Sequence, residues 1–140
     1  LRAMFIECPE DETCAAMEDQ YFFGDDILVA PLFEASMTRR VYLPAGRWVE
    51  LGTNQVYEGG QWHTVTATVY PGLAFVKAGT VIPMAEAALT TDQLDWSSVR
   101  NVLFTDGEAP VHGYAYLPDT QKAVPVQPDS PTVLSSEVCW

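Results

Sequence analysis

The feature that most restricts the fold is a rhythm. From Arg39 to Met84, short apolar runs alternate with turn-forming residues. A turn every ~8–12 residues leaves no room for successive helices and suits antiparallel strands in a sandwich or barrel. In RRVYLPAGRWVEL, Val41 and Leu43 alternate, Pro44-Ala45-Gly46 turns, and Trp48 begins a second strand. Thr53-Asn54 forms another turn. Val56-Tyr57 then runs into Glu58-Gly59-Gly60, which predicts a hairpin returning through Trp62–Thr66. Leu73–Val76 and Thr80–Ile82 flank Lys77-Ala78-Gly79, and Pro44, Pro71 and Pro83 keep the same beat.

The flanks read differently. Residues 3–6, AMFI, predict a buried strand or its end. Asp11, Glu12 and Thr13 suit a helix N-terminus. Cys14, Met17 and Tyr21 follow at helical spacing, with Gly24 where a C-terminal cap belongs, so a helix is expected over 12–22. Ile27–Phe33 carries no charge and predicts a strand buried on both faces. Residues 84–98 are alanine-rich and polar, a linker or short helix. Val99–Thr105 and Val111–Leu117, on either side of Asp106-Gly107, predict the hairpin of a second β unit. Beyond Pro118 the chain is spaced by Pro125, Pro128 and Pro131, and only Val124–Val126 suggests a strand.

Composition narrows the function classes. In 140 residues, 48% are hydrophobic and 19% charged, enough apolar side chain for one domain or two very small ones. The net charge of −12, from 7 basic and 19 acidic residues, repels phosphate. That argues against nucleic acid and anionic membrane surfaces as partners. No apolar run approaches the ~18 residues of a membrane-spanning helix, and no basic segment precedes a signal-like apolar one. Leu1-Arg2-Ala3 in place of an initiating methionine reads as part of a longer chain, so no compartment is assigned. Cys8, Cys14 and Cys139 are odd in number and sparse, against a disulfide framework. Cys8 and Cys14 flank PEDET with no histidine nearby and no CxxC pair. They are expected to be buried free thiols rather than zinc ligands.

Five blocks in order carry a resemblance: RAMFIE, DQYFFGDDILVAPLFE, RRVYLPAGRWVEL, VYEGGQWHTV and FVKAGTVIPM. Together they resemble the C-terminal part of family 31 glycoside hydrolases, the α-glucosidase and α-xylosidase family, from Arg2 to about Met84. The resemblance implies a catalytic (β/α)8 barrel followed by two β-sandwich domains. Residues 1–35 would then be the last strand or helix of the barrel and the crossover from it. Residues 36–84 would be the proximal sandwich, 85–98 a linker, and 99–140 a partial distal β unit with its proline-spaced tail. The fold class expected is mainly β, an antiparallel β-sandwich. The family cleaves α-glycosidic bonds with retention, without a cofactor, using two aspartates ~5–5.5 Å apart. Its nucleophile, acid/base and substrate-binding histidine lie in upstream blocks that nothing here matches. The resemblance therefore assigns no catalytic, substrate-binding or metal residue to this chain. Its partners would be the remainder of the glycosidase chain and, for the parent enzyme, an oligosaccharide.

Asp25 and Asp26 are adjacent carboxylates, but neighbours on a strand point to opposite faces. They are expected to mark a turn after Gly24. Glu7 and Arg2 are expected to pair with each other. His63 and His112 have no nucleophile elbow nearby. Gly59-Gly60 lacks the lysine of a phosphate loop. Trp48, Tyr57, Trp62 and Tyr70 could pack a sandwich core or stack sugar rings. The alternative function, a stand-alone carbohydrate-binding β-sandwich, requires Trp48 and Trp62 to be exposed and coplanar. A third, a pure interaction module, requires a large exposed apolar patch.

Overall fold

The computed structural model describes residues 1–33, 35–68, 72–117, 119–126 and 138–139. The chain divides into two compact units, Leu1–Ala78 and Gly79–Trp140.

The first unit is a sandwich of two antiparallel sheets. The larger contains β1 (Arg2–Ala3), β2 (Tyr21–Phe23), β3 (Ile27–Pro31), β5 (Arg47–Glu50), β6 (Val56–Glu58) and β8 (Gly72–Lys77), in the order β1-β2-β3-β8-β5-β6. The smaller pairs β4 (Thr38–Leu43) with β7 (Gln61–Thr66). Phe22, Leu28, Trp48, Leu73 and Phe75 from the large sheet and Val41, Leu43 and Val65 from the small one share a single apolar core. Trp48 is 1% exposed, and its indole N–H donates to the Pro44 carbonyl at 2.8 Å, so the core holds no unpaired polar atom there.

Strands β4 to β7 are one long hairpin bent over itself. Its tip is the Leu51–Asn54 turn, and Asn54 has φ of 59°. Near the tip, β5 pairs with β6, Trp48 opposite Tyr57. Farther out, β4 pairs with β7, Leu43 opposite Gln61. The register slips by one residue between the two halves, the mark of a bulge. At that bulge Pro44–Gly46 and Gly59-Gly60 carry both strands from one sheet into the other. Gly59-Gly60 is therefore a corner and does not close a hairpin between Val56-Tyr57 and Trp62–Thr66, as the turn signal alone suggested. Gly59 N–H donates to Gly46 C=O at 2.6 Å and Gly60 N–H to Leu43 C=O at 2.7 Å. A Cβ on Gly59 would stand 1.9 Å from the Pro44 carbonyl oxygen.

Three other expectations change in the first unit. Residues 3–6 are not a strand, because β1 stops at Ala3 and a four-residue helix α1 (Met4–Glu7) follows. The helix over 12–22 shrinks to α2 (Glu12–Ala15), capped by Asp11, whose carboxylate accepts from Thr13 N–H at 2.9 Å and Cys14 N–H at 3.4 Å. Tyr21-Phe22-Phe23 pairs with β3 instead. Aromatic side chains suit a pleated surface, and ladder pairing outweighs the weak helical spacing. Gly24, at φ of 72°, then turns this hairpin rather than capping a helix. In β3 only Leu28 and Ala30 are buried, while Ile27, Val29 and Pro31 are half-buried. One face meets the core, as an antiparallel sheet requires, so burial on both faces does not hold.

The described residues of the second unit form one sheet of five strands. Its strands are β9 (Thr80–Met84), β10 (Arg100–Phe104), β11 (His112–Leu117), β12 (Lys122–Val126) and β13 (Val138–Cys139), in the order β12-β11-β9-β10-β13. Residues 84–98 contribute two single-turn 3-10 helices, Thr91–Gln93 and Trp96–Ser98. β10 and β11 do not form the expected hairpin, because β9 lies between them, antiparallel to β10 and parallel to β11. Pro83 on β9 has no N–H to offer a neighbour. Opposite it, the buried Asn101 side chain reaches the β11 backbone, donating to Tyr116 C=O at 3.0 Å and accepting from Tyr116 N–H at 2.6 Å. Pro125 sits on β12 at the sheet edge, where a missing donor costs no ladder bond.

Candidate functional site

The adjacent aspartates occupy the turn between β2 and β3 and engage different cations. The Asp25 carboxylate lies 2.7 Å from the Arg2 guanidinium, which also bonds Glu7. The Asp26 carboxylate lies 3.9 Å from Lys77 Nζ. Lys77 Nζ donates to Asp25 C=O at 3.1 Å and sits over the rings of Phe22 and Trp48. Glycosidic acid/base chemistry needs two carboxylates aimed at one bond. Here each is turned to its own cation, and the cluster pins the β2–β3 turn to β1 and β8. The expected Arg2–Glu7 pair is present, and Asp25 joins it.

The aromatic side chains split between core and surface. Trp48 is buried, so a coplanar Trp48–Trp62 sugar platform does not exist. Tyr57 packs edge-on against Phe75 and His63, and its hydroxyl donates to the buried Glu50 carboxylate at 3.1 Å. Burial, then the Glu50 charge, pushes the Tyr57 phenol up to about 12. Trp62 is 42% exposed, stacked under Arg40 with 4.9 Å from guanidinium carbon to ring centre. It borders a groove of about 360 Å³ with Pro31, Phe33, Arg39 and Arg40. Tyr70 lies outside the described residues. His63 Nε2 is 2.6 Å from the Glu58 carbonyl oxygen, and His112 Nε2 is 3.0 Å from the Thr80 hydroxyl. Among the described residues, no three His, Cys, Asp or Glu side chains gather where a metal ion could sit.

The most connected polar group is one the sequence marked only as a helix opener. Asp11 caps α2 with one oxygen and accepts from the Tyr42 hydroxyl at 2.6 Å with the other. That bond holds the Asp11 carboxyl below its ordinary value and raises the Tyr42 phenol to about 12. Beside it, the buried Gln20 amide pairs with the Tyr42 backbone, donating to its C=O at 2.7 Å and accepting from its N–H at 2.8 Å. Gln20 thus continues a ladder for β4 with a side chain. Nothing in local spacing identifies Gln20 or Asn101, because their partners lie 22 and 15 residues away. Cys14 is fully buried and Cys8 half-buried, both free thiols, and burial raises both. Cys139 side-chain structure lies outside the description.

One surface is apolar and unsatisfied. β1 is an open edge of the large sheet. Leu1, Phe5 and Ile6, on and beside it, are 86%, 53% and 57% exposed, and Phe23 of neighbouring β2 is 58% exposed. Continuing the β1–β2 register places Phe23 opposite Leu1. Four large apolar groups beside a strand edge that no other described strand pairs form a surface suited to contact with more polypeptide.

Residues 1–82 match the Glycosyl hydrolase family 31 C-terminal domain. Alpha-glucosidase 2 of Bacillus thermoamyloliquefaciens is 36% identical over 96 residues, covering 68% of this chain and 12% of the relative. An alpha-xylosidase of Emericella nidulans is 34% identical, covering 60% of this chain and 12% of its own length. Among solved structures, the family 31 alpha-xylosidase of Xanthomonas citri superposes with a TM-score of 0.69 at 34% identity, over 81% of this chain and 12% of that one. The cycloalternan-forming enzyme of Listeria monocytogenes gives 0.72 at 28% identity, over 89% and 12%. The chain thus spans a small part of each relative's length. It belongs to glycosyl hydrolase family 31, as a piece of that family's C-terminal region.

Proposed function

We propose that this chain is the non-catalytic support of a retaining α-glycosidase that hydrolyses α-linked glucose or xylose. The observation that carries this reading is the apolar face of Leu1, Phe5, Ile6 and Phe23 along the open β1 edge, in a chain spanning about an eighth of its relatives' length. In the parent that face lies against the catalytic barrel, with residues 1–35 forming the passage from barrel to sandwich. Residues 36–84 and 99–140 belong to the proximal and distal β domains, joined by residues 85–98. The nucleophile and acid/base aspartates come from the barrel. Five carboxylates support that division, since Glu7, Asp25 and Asp26 face cations and Asp11 and Glu50 face phenols.

The purified 140-residue chain, given aryl α-glucosides and aryl α-xylosides, is expected to release no phenol above the buffer rate. Turnover that saturates with substrate would refute the assignment.

A further inference from the structure

We propose that the groove beside Trp62 is a binding site for an oligosaccharide of α-linked glucose. The choice of sugar rests on the support role proposed above, while the site rests on its own side chains. The groove encloses about 360 Å³, within the ~300–1,000 Å³ typical of small-molecule sites, and its described walls all belong to the first unit. Those walls divide by chemistry. Trp62 and Phe33 supply exposed rings, Phe33 at 73%, and neither belongs to the sandwich core. Trp62 leans on Tyr42, with ring centres 5.4 Å apart and planes at 56°.

The polar wall is held in place before any ligand arrives. The Arg39 guanidinium donates to Pro31 C=O, to Asp19 C=O at 3.3 Å and to Arg40 C=O at 3.1 Å. It also meets Asp19 Oδ2 at 2.6 Å. The Asp19 carboxylate is half-exposed, and Oδ1 is left to accept from a ligand. Among the described residues no carboxylate pairs with Arg40, whose guanidinium lies over Trp62 instead. A hexose carries C–H groups on its ring faces and hydroxyls around its rim. Exposed rings suit the first. A carboxylate beside a guanidinium suits two adjacent hydroxyls, accepting from one and donating to the other. Two arginines could instead hold an anion, but Asp19 neutralises one of them and the chain carries a net charge of −12. A neutral, hydroxyl-rich ligand fits that balance better. For a parent that cleaves long glucans, a second point of attachment raises the local concentration of substrate.

The test titrates maltotriose and, separately, isomaltotriose into the isotope-labelled 140-residue chain and follows its amide and indole N–H signals. The indole signal lost in Trp62→Phe identifies Trp62. The expected result is a saturable shift of that signal with at least one of the two sugars, while the buried Trp48 indole stays in place. Arg40→Ala removes an exposed side chain, so it should melt like the wild type yet bind at least about tenfold more weakly. No saturable shift with either sugar, a shift centred elsewhere on the chain, or unchanged affinity in Arg40→Ala would each overturn the proposal. Any of these would leave the support role standing, because phenol release by the same chain is read separately.

Discussion

At the residue scale, stability concentrates where side chains stand in for backbone. Gln20 and Asn101 each offer an amide's donor and acceptor to one residue of a distant strand, completing ladders that the chain's own path leaves open. The Asp11 carboxylate only accepts, taking N–H groups of α2 on one oxygen and the Tyr42 hydroxyl on the other. Because the Tyr42 hydroxyl meets a charged acceptor, Tyr42→Phe should cost about 1.5–3 kcal/mol in urea unfolding. The effect should depend on pH at both ends. The Asp11 value is lowered from 3.8, chiefly by the Tyr42 hydrogen bond, so its contribution is full above 3.8 and fades as pH falls through the folded value. The Tyr42 value is raised from 10 to about 12, so its contribution is full below 10 and fades as pH climbs toward 12. The difference between wild type and Tyr42→Phe should be flat from about pH 5 to about pH 9 and shrink on either side. A difference that stays constant below pH 3 would refute the pairing.

At the element scale, the bent hairpin depends on one backbone approach. Gly59→Ala places a methyl group 1.9 Å from one carbonyl oxygen and 2.5 Å from another, and neither can retreat without opening the corner. A loss of at least about 3 kcal/mol is expected, against about 1–2 kcal/mol for Gly24→Ala, where φ is positive but the space is empty. Thermal melts of the two variants side by side decide it, and equal destabilisation would sink the corner assignment. Turns were legible here because Pro, Gly and Asn act through their own dihedral angles. The strand-rich pattern was legible because alternation is local. Which strands pair was not. Pro44–Gly46 and Gly59-Gly60 look like hairpin turns in any short window. Only the meeting of Val41, Leu43 and Val65 with Trp48 and Phe75 reveals a corner. Asp106-Gly107 misled in the same way, since β9 takes the place between its flanking strands.

At the scale of the whole molecule, the exposed edge is the feature to test. Phe5→Asp and Ile6→Asp put charges on the open side of α1 without touching the core. In the isolated chain they should reduce self-association, read by sedimentation velocity over a concentration series. On the proposed support role, the same changes in a longer family 31 chain carrying this segment should lower its melting temperature, because a charge would be buried against the barrel. An unchanged melting temperature there would mean that this face stays in water and the support role is misplaced.

The sequence by itself determined the class of fold, the turn positions, the strong acidity and the family, each legible from neighbouring residues or from blocks in order. The tertiary structure alone decided that Asp25 and Asp26 part toward Arg2 and Lys77, that Trp48 is core while Trp62 is surface, and that Gln20 completes β4. Those outcomes depend on which groups approach from far along the chain. A side chain's chemistry fixes what it can bond, but only the packed fold fixes which partner comes within reach.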